Sequence, residues 1–145
     1  MPKPCPPAPG DVIRYAYLWW DEHRRGAEEG RKERPALVLA IVAARPPGDD
    51  EVLIVPITHS APRAQADAVA LTTDAARALG LDGQEHWIVV SEANAFVWPG
   101  PDIRPVPSRR PTTFTYGAVP RGLLRRVVTA YLERAGRVRV ARRTE

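Results

Sequence analysis

Arg-Pro-Ala-Leu-Val-Leu-Ala at positions 34–40 and Val-Leu-Ile-Val-Pro-Ile-Thr-His-Ser at positions 52–60 are the stretches that decide the fold of this 145-residue chain. Both are apolar runs rich in residues that favour β-structure, which is typical of buried strands. The turn-forming cluster Arg-Pro-Pro-Gly-Asp-Asp lies between them at positions 45–50. Residues 35–43 and 51–58 are therefore predicted to form an antiparallel hairpin.

Polar side chains stand at one end of each stretch, and a hairpin would bring those two ends to one rim. Arg34 opens the first run, whereas Thr58, His59 and Ser60 close the second. A guanidinium presents N–H donors in a planar fork that suits a phosphate or carboxylate. Histidine is the residue type best suited to moving protons near neutral pH, but neighbours on a strand point to opposite faces. His59 would therefore join Thr58 only where the strand has already turned.

The rest of the chain predicts further short strands and a closing helix. Strands are expected over 12–20, 68–71, 87–91 and 95–98, and a short helix over 74–79 with Thr73 as its N-cap. The five Pro residues in 99–111 predict a loop. A last helix is predicted from Pro120 to about Ala135, with one apolar face formed by Leu124, Val127, Val128, Tyr131 and Leu132. The expected fold class is mainly β, a small barrel made of a strongly bent antiparallel sheet and closed by the C-terminal helix.

The domain organisation expected from composition is a single domain between two tails. Residues 1–9 are Pro-rich and predict an extended, flexible N-terminal tail, and residues 10–136 form the domain. Residues 137–145 predict an Arg-rich C-terminal tail, although Val138 and Val140 alternate with charged residues and leave a further strand open as an alternative.

Composition excludes several classes of protein. The chain has no apolar run long enough for a bilayer and no apolar signal-peptide core, so a soluble, cytoplasmic protein is expected. Cys5 is the only cysteine, so no internal disulfide can form. Paired-Cys, His-Glu-x-x-His, P-loop and Gly-x-Ser-x-Gly patterns are all absent, and consecutive residues such as Asp-Glu-His at positions 21–23 converge poorly on one ion. Neither a metal nor a cofactor is therefore expected.

Positive charge is concentrated at the C-terminal end. Residues 121–145 hold eight Arg and two Glu, whereas the remainder holds 13 basic and 15 acidic residues. Such an end can steer an acidic partner such as RNA, DNA or an acidic peptide. The alternative is a solvated helix face followed by a frayed end.

The order of these features resembles the MazF/PemK family of toxins from bacterial type II toxin–antitoxin systems. The matching residues are Gly-Asp-Val at positions 10–12, Arg-Pro-Ala-Leu-Val-Leu at 34–39 after a long charged loop, and Val-Pro-Ile-Thr at 55–58. The likeness extends more loosely through 87–98 and the final helix, so that it covers about residues 10–135. The two central motifs at this separation are fairly specific together, whereas either one alone is weak.

The resemblance implies a fold, an activity and partners. The fold would be an SH3-like barrel with a C-terminal helix, assembled as a homodimer. The activity would be metal-independent endoribonuclease cleavage of single-stranded RNA by the 2′-OH, leaving a 2′,3′-cyclic phosphate and a 5′-OH, so that DNA would be spared. A cognate antitoxin protein would neutralise it, which makes the protein a growth inhibitor. The family's catalytic Arg and Thr carry over onto Arg34 and Thr58.

Candidate substrate-binding residues come from the loop after the first strand and from the rims of later strands. Aromatic rings can stack on unpaired bases, and cations can guide phosphates. The candidates are Trp19, Trp20, Arg24, Arg25, Arg31, Lys32, His59, Ser60, Glu92 and Asn94. Glu92 and Asn94 stand near a strand on which family members often carry a charged, polar set. For the two Trp residues the alternative is a core or dimer contact, and for the loop cations it is solubility.

Two further functions stay open at the level of sequence. A barrel of this kind that has lost cleavage could act as a nucleic-acid or protein binding module, and the lack of an Arg near Val90 favours that alternative. A structural adaptor without nucleic-acid contact is the third, and the charge of the C-terminal end argues against it.

Overall fold

A computed structural model describes residues 4–21, 32–44, 48–134 and 136–143. Its strands are β1 (Asp11–Ala16), β2 (Glu33–Val42), β3 (Glu51–Thr58), β4 (Ala68–Leu71), β5 (His86–Val89), β6 (Glu92–Val97), β7 (Thr115–Ala118) and β8 (Arg139–Arg142). Its helices are α1 (Thr73–Ala78) and α2 (Arg121–Glu133), and one turn of 3₁₀-helix covers Gln65–Asp67. The described part of the chain holds no helix with the length and apolar character that a membrane crossing requires.

The strands form one strongly curled, half-barrel sheet. Its main order is β4-β5-β3-β2-β1-β7, while β6 pairs with both β3 and β8. The described pairings are antiparallel, apart from the parallel pairing of β6 with β8. The predicted fold class, mainly β with a strongly bent sheet and a C-terminal helix, is confirmed.

Register shifts at two places between paired strands contribute to the curvature of the sheet. The register shifts between Val12 and Ile13 where β1 meets β7, and again between Val38 and Ala40 where β2 meets β3. Such irregularities bend a strand and increase its twist. In addition, β3 pairs with β6 through its first half and with β5 through Ile57 and Thr58. The sheet therefore divides at the end of β3, which opens the rim where Thr58 lies.

The middle parts of β2 and β3 are apolar because both of their faces are buried. Leu37 and Leu39 of β2 belong to a core cluster that includes Leu123 and Val127 of α2. The alternating residues of β2 face a second cluster of aromatic and aliphatic side chains, which contains Ile13, Tyr15, Tyr17, Ala36, Val38, Val52, Ile54, Phe96 and Trp98. A strand covered on both sides reads as a continuous hydrophobic run rather than an alternating one.

Helix α2 covers the first cluster with a slightly different face from the predicted one. Leu123 and Val127 are buried, whereas Leu132 is 62% exposed. Leu132 lies nine residues beyond Leu123, about two and a half helical turns, and so it projects from the opposite side. The prediction that Leu132 contributes to the buried face is wrong for that reason.

Residues 139–142 are part of the sheet, which corrects the expectation of a tail for the described part of 137–145. Residues 139–142 form β8, which pairs with β6 from Glu92 to Ala95. Ala141 and Arg143 are buried. Ala141 and Arg143 are two residues apart and therefore share a face, which is the buried one, whereas Arg142 between them is exposed. The strand alternative therefore holds for residues 139–142.

Candidate active site at the end of strands β2 and β3

Arg34 and Thr58 lie at one end of the central hairpin and on the same face of the sheet. In the ladder between β2 and β3, Ala36 pairs with Pro56 and Val38 with Ile54. Continuing that register by two residues sets Arg34 opposite Thr58, and residues two apart share a face. Both residues line one pocket of about 540 Å³. The two residues that resemblance assigns to catalysis therefore open onto the same space.

The guanidinium of Arg34 is placed by an aromatic ring. Its Cζ atom lies 4.9 Å from the centroid of the Trp19 ring. Arg34 is half-buried at this position, and a cation held over an indole face is stabilised more strongly as water is excluded. Trp19 itself packs against the aromatic cluster of the core. Trp19 thus fixes the orientation of Arg34, and its ring is used for that contact rather than being presented to the pocket.

The hydroxyl of Thr58 is held by the turn that follows β3. Its Oγ1 atom accepts a hydrogen bond from the backbone N–H of Ser60 at 3.2 Å, a local contact typical of Thr at the start of a turn. The hydroxyl proton can then be donated towards a ligand. Because β3 ends at Thr58, His59 escapes the strand alternation and also lines the pocket, together with Ser60 and Lys32.

Asp82 and His86, from another part of the chain, lie close to His59. Asp82 lies with one carboxylate oxygen 3.4 Å from His59 Nε2 and with the other 3.1 Å from His86 Nε2. The two imidazole rings are 4.5 Å apart between centroids. His86 is buried, whereas His59 and Asp82 are exposed. The pocket wall therefore carries a His-Asp-His cluster beside Thr58.

The other charged side chains that line the pocket are mostly cationic. Arg109 donates to the carbonyl oxygens of Leu79 and Tyr116 at 2.9 and 2.8 Å, so its charge is oriented without being neutralised by those groups. The carboxylate of Glu33 is held by Arg14 at 3.1 Å and by Arg104 at 3.3 Å. With Lys32 and Arg34 also lining the pocket, the electrostatics favour an anionic ligand such as a phosphate.

Trp20 and Glu92 lie in a different cavity. They line a space of about 290 Å³ together with Asp21, Arg134 and Arg139. The backbone N–H of Trp20 donates to Glu92 Oε1 at 2.9 Å, and the Tyr17 hydroxyl donates to the same oxygen at 3.3 Å. The structure does not bring these two candidates to the pocket of Arg34 and Thr58.

Asn94 is a structural residue of the interior. It is fully buried, and its side-chain amide bonds to both the N–H and the carbonyl of Leu18, at 2.9 and 2.7 Å. Arg143 donates to the same amide oxygen at 3.1 Å. In this position Asn94 has no surface to offer a substrate. The candidates Arg24, Arg25 and Arg31 lie outside the described residues.

The half-buried carboxyl of Glu92 predicts a pH dependence of stability. Burial raises its pKa above the ordinary value, although the hydrogen bonds from Trp20 and Tyr17 lower it. Between the unfolded and the folded pKa the folded state binds more protons, so the free energy of unfolding falls as pH rises through that window. Glu92→Gln keeps the accepting oxygen and removes this titration. The variant is therefore expected to gain stability relative to wild type as pH rises from 4 to 7.

Urea unfolding at both pH values measures this difference. Glu133→Gln, an exposed carboxyl at the end of α2, is the matched control and is expected to follow wild type. A Glu92→Gln variant whose stability relative to wild type falls or stays constant between pH 4 and 7 would contradict the assignment.

The pocket also contains functional candidates that sequence reasoning missed: Arg14, Glu33, Asp82, His86, Arg109 and Tyr116. Asp82 and His86 are four positions apart, a spacing that places side chains together on a helix, but here Asp82 lies in the irregular segment before β5 and His86 is the first residue of β5. Arg109 belongs to the Pro-rich loop over 99–111. The adjacent pair Arg109 and Arg110 is the local signal in the sequence that could have found it.

No protein-family model matches the chain, and a comparison with curated proteins gives no significant match.

Proposed function

We propose that the protein is an endoribonuclease of the MazF/PemK type that cleaves single-stranded RNA at the pocket of Arg34 and Thr58. The observation that carries the proposal is the convergence of these two residues, from separate strands, on one cationic pocket of about 540 Å³. The resemblance assigns catalysis to the same two residues. The pocket is also large enough for a phosphate and part of its nucleotide.

The pocket residues suit an attack by the ribose 2′-OH on the adjacent phosphorus. A bond forms between the 2′-oxygen and phosphorus, and the bond from phosphorus to the 5′-oxygen breaks. Arg34 stabilises the charge that develops on the phosphate oxygens, which is usually the largest contribution of such a site. Thr58 donates a hydrogen bond to a non-bridging oxygen.

A proton must leave the 2′-OH, and one must reach the departing 5′-oxygen. Arg34 is a poor base because a guanidinium holds its proton strongly. His59 lines the same pocket and is of the residue type that can take up and return a proton near neutral pH. The products are a 2′,3′-cyclic phosphate and a 5′-OH end, and a DNA substrate without the 2′-OH is left intact.

Two partners belong to this proposal. A cognate antitoxin protein with acidic side chains would block the pocket, since Lys32, Arg34 and Arg109 would attract it. A homodimer, located in the cytoplasm, is the assembly that the resemblance implies. In that setting the protein acts as a growth inhibitor.

Cleavage of a long single-stranded RNA in the presence of EDTA tests the proposed function. We expect discrete cuts whose upstream fragments carry a 2′,3′-cyclic phosphate, detected by their resistance to 3′ ligation until a phosphatase with cyclic-phosphodiesterase activity is added. A DNA oligonucleotide of the same sequence is the matched control and should stay intact. Absence of cutting over a broad set of RNA sequences would contradict the proposal.

A binding module that has lost cleavage is the second candidate. It is favoured by the positions of Glu92 and Asn94, which line no part of the pocket, and by the lack of an Arg near Val90. Salt-dependent RNA binding without any cleavage in the same assay would support this function instead.

A further inference from the structure

The His-Asp-His cluster of His59, Asp82 and His86 has the composition and spacing of a metal site. One ligand atom from each residue lies within 4.8 Å of the other two. In a tetrahedral zinc site, ligand distances of 2.0–2.2 Å set neighbouring donors about 3.3–3.6 Å apart. His59 Nε2 lies 3.4 Å from one carboxylate oxygen of Asp82 and His86 Nε2 lies 3.1 Å from the other, so that the carboxylate stands between the two rings and each distance is close to that edge length.

The hydrogen bonds around the cluster are those of oriented ligands. His59 Nδ1 lies 3.2 Å from the carbonyl oxygen of Glu85, while its Nε2 faces Asp82. Metal-bound imidazoles commonly donate their second N–H to a carbonyl, which aims the other nitrogen at the ion. His86 Nε2 faces both the carboxylate of Asp82 and its carbonyl oxygen at 3.3 Å. Both ring nitrogens of His59 therefore face an oxygen acceptor, and a neutral imidazole can donate a hydrogen bond from only one of them.

We propose that His59, Asp82 and His86 bind a divalent transition-metal ion of the zinc class. Two imidazoles and one carboxylate are a donor set that Mg²⁺ and Ca²⁺ do not prefer, since those ions select oxygen ligands. Three protein ligands leave one coordination position open. All three residues line the pocket that Thr58 and Arg34 also line, so a bound ion would lie beside the space proposed for an anionic ligand.

A metal ion on His59 Nε2 would prevent the proton transfer proposed for His59, so cleavage in EDTA and zinc binding belong to two separate states of the pocket. The ion alone is the probe, which tests the site apart from RNA cleavage. The full chain, without an affinity tag and stripped of metal, is titrated with ZnCl₂ and with MgCl₂ by isothermal calorimetry. Cys5 is exposed and a thiolate binds zinc, so every protein carries Cys5→Ser. We expect one Zn²⁺ per chain and no measurable binding of Mg²⁺.

His59→Ala and Asp82→Asn test the ligands without disturbing the core, because both residues are exposed. Each is expected to weaken Zn²⁺ binding by at least about 100-fold, the upper range for loss of even an outer-shell partner. Glu85→Gln removes a neighbouring exposed carboxylate outside the cluster and should bind as wild type does. A rise in Tm on adding Zn²⁺, present in wild type and Glu85→Gln but lost in the two ligand variants, supplies a second readout. Absence of stoichiometric binding, or equal binding in Asp82→Asn, would overturn the site.

Discussion

Replacing Arg34 with Ala is expected to lower the rate of RNA cleavage by about 100- to 1,000-fold. Removal of one preorganised donor at a developing oxyanion typically has an effect of this size. Arg34 is preorganised because its guanidinium lies 4.9 Å from the centroid of the Trp19 ring and opens onto the pocket beside Thr58. Single-turnover cleavage of an end-labelled RNA, in EDTA and with protein in excess, measures the rate of the chemical step.

Arg34→Lys separates charge from geometry. A lysine keeps the positive charge but loses the planar fork that bonds two phosphate oxygens at once. We expect its rate to lie between those of wild type and Arg34→Ala. Arg125→Ala, which removes an exposed cation from α2, has the same change in net charge and should retain the full rate. Cleavage by Arg34→Ala at the wild-type rate would remove the assignment of this site.

The central hairpin could be predicted because its signals are local. The apolar runs over 35–43 and 51–58 are separated by a turn cluster, and the structure forms β2 and β3 over 33–42 and 51–58. Both faces of these strands are buried, so no polar residue interrupts the pattern. The meeting of Arg34 with Thr58 followed from the same information, because an antiparallel hairpin brings the start of one strand to the end of the next.

Elements that depend on distant partners were harder to predict. The first strand was expected over 12–20, yet β1 ends at Ala16. Leu18 remains buried beyond that point because the side chain of Asn94, rather than a neighbouring backbone, satisfies its peptide groups. A side-chain amide that takes the hydrogen-bonding role of a neighbouring strand produces no alternation of polar and apolar residues, so the sequence pattern does not reveal it. The same limitation applies to β7, a short strand that lies after the Pro-rich loop.

The parts of the candidate site that come from other segments could not be predicted for a related reason. Asp82 and His86 reach His59 only because β5 pairs with the end of β3, where Thr58 lies opposite Trp87. Arg109 reaches the pocket through hydrogen bonds to the carbonyls of Leu79 and Tyr116. These contacts are set by tertiary structure, whereas composition and spacing report only on neighbours along the chain.

Asp102→Asn is expected to destabilise the protein by about 3–5 kcal/mol, because it leaves the charge of Arg143 buried without its carboxylate. The two side chains form an ion pair at 2.9 Å and are only 5% and 2% exposed. Arg143 also donates to the carbonyl of Ala16 and to the amide oxygen of Asn94. This side chain therefore ties the end of β8 to β1 and β6. Urea unfolding at pH 7 measures the loss.

An exposed ion pair on the same strand provides the control. Arg142 lies 2.6 Å from Glu51, but Arg142 is 70% exposed. Water screens such a pair, and Glu51→Gln should change the free energy of unfolding by less than about 1 kcal/mol. If Asp102→Asn were no more destabilising than Glu51→Gln, the C-terminal segment would not be held by its buried pair.

Replacing both partners of the buried pair distinguishes an ionic requirement from a packing requirement. In the double variant with Asp102→Leu and Arg143→Met, no unpaired charge remains in the interior. Apolar replacements of similar volume are often tolerated at such sites. The double variant is therefore expected to be more stable than Asp102→Asn, even though it changes twice as many residues. A double variant at least as unstable as Asp102→Asn would show that the hydrogen bonds of Arg143 to Ala16 and Asn94, rather than the buried charge, hold β8 against the sheet.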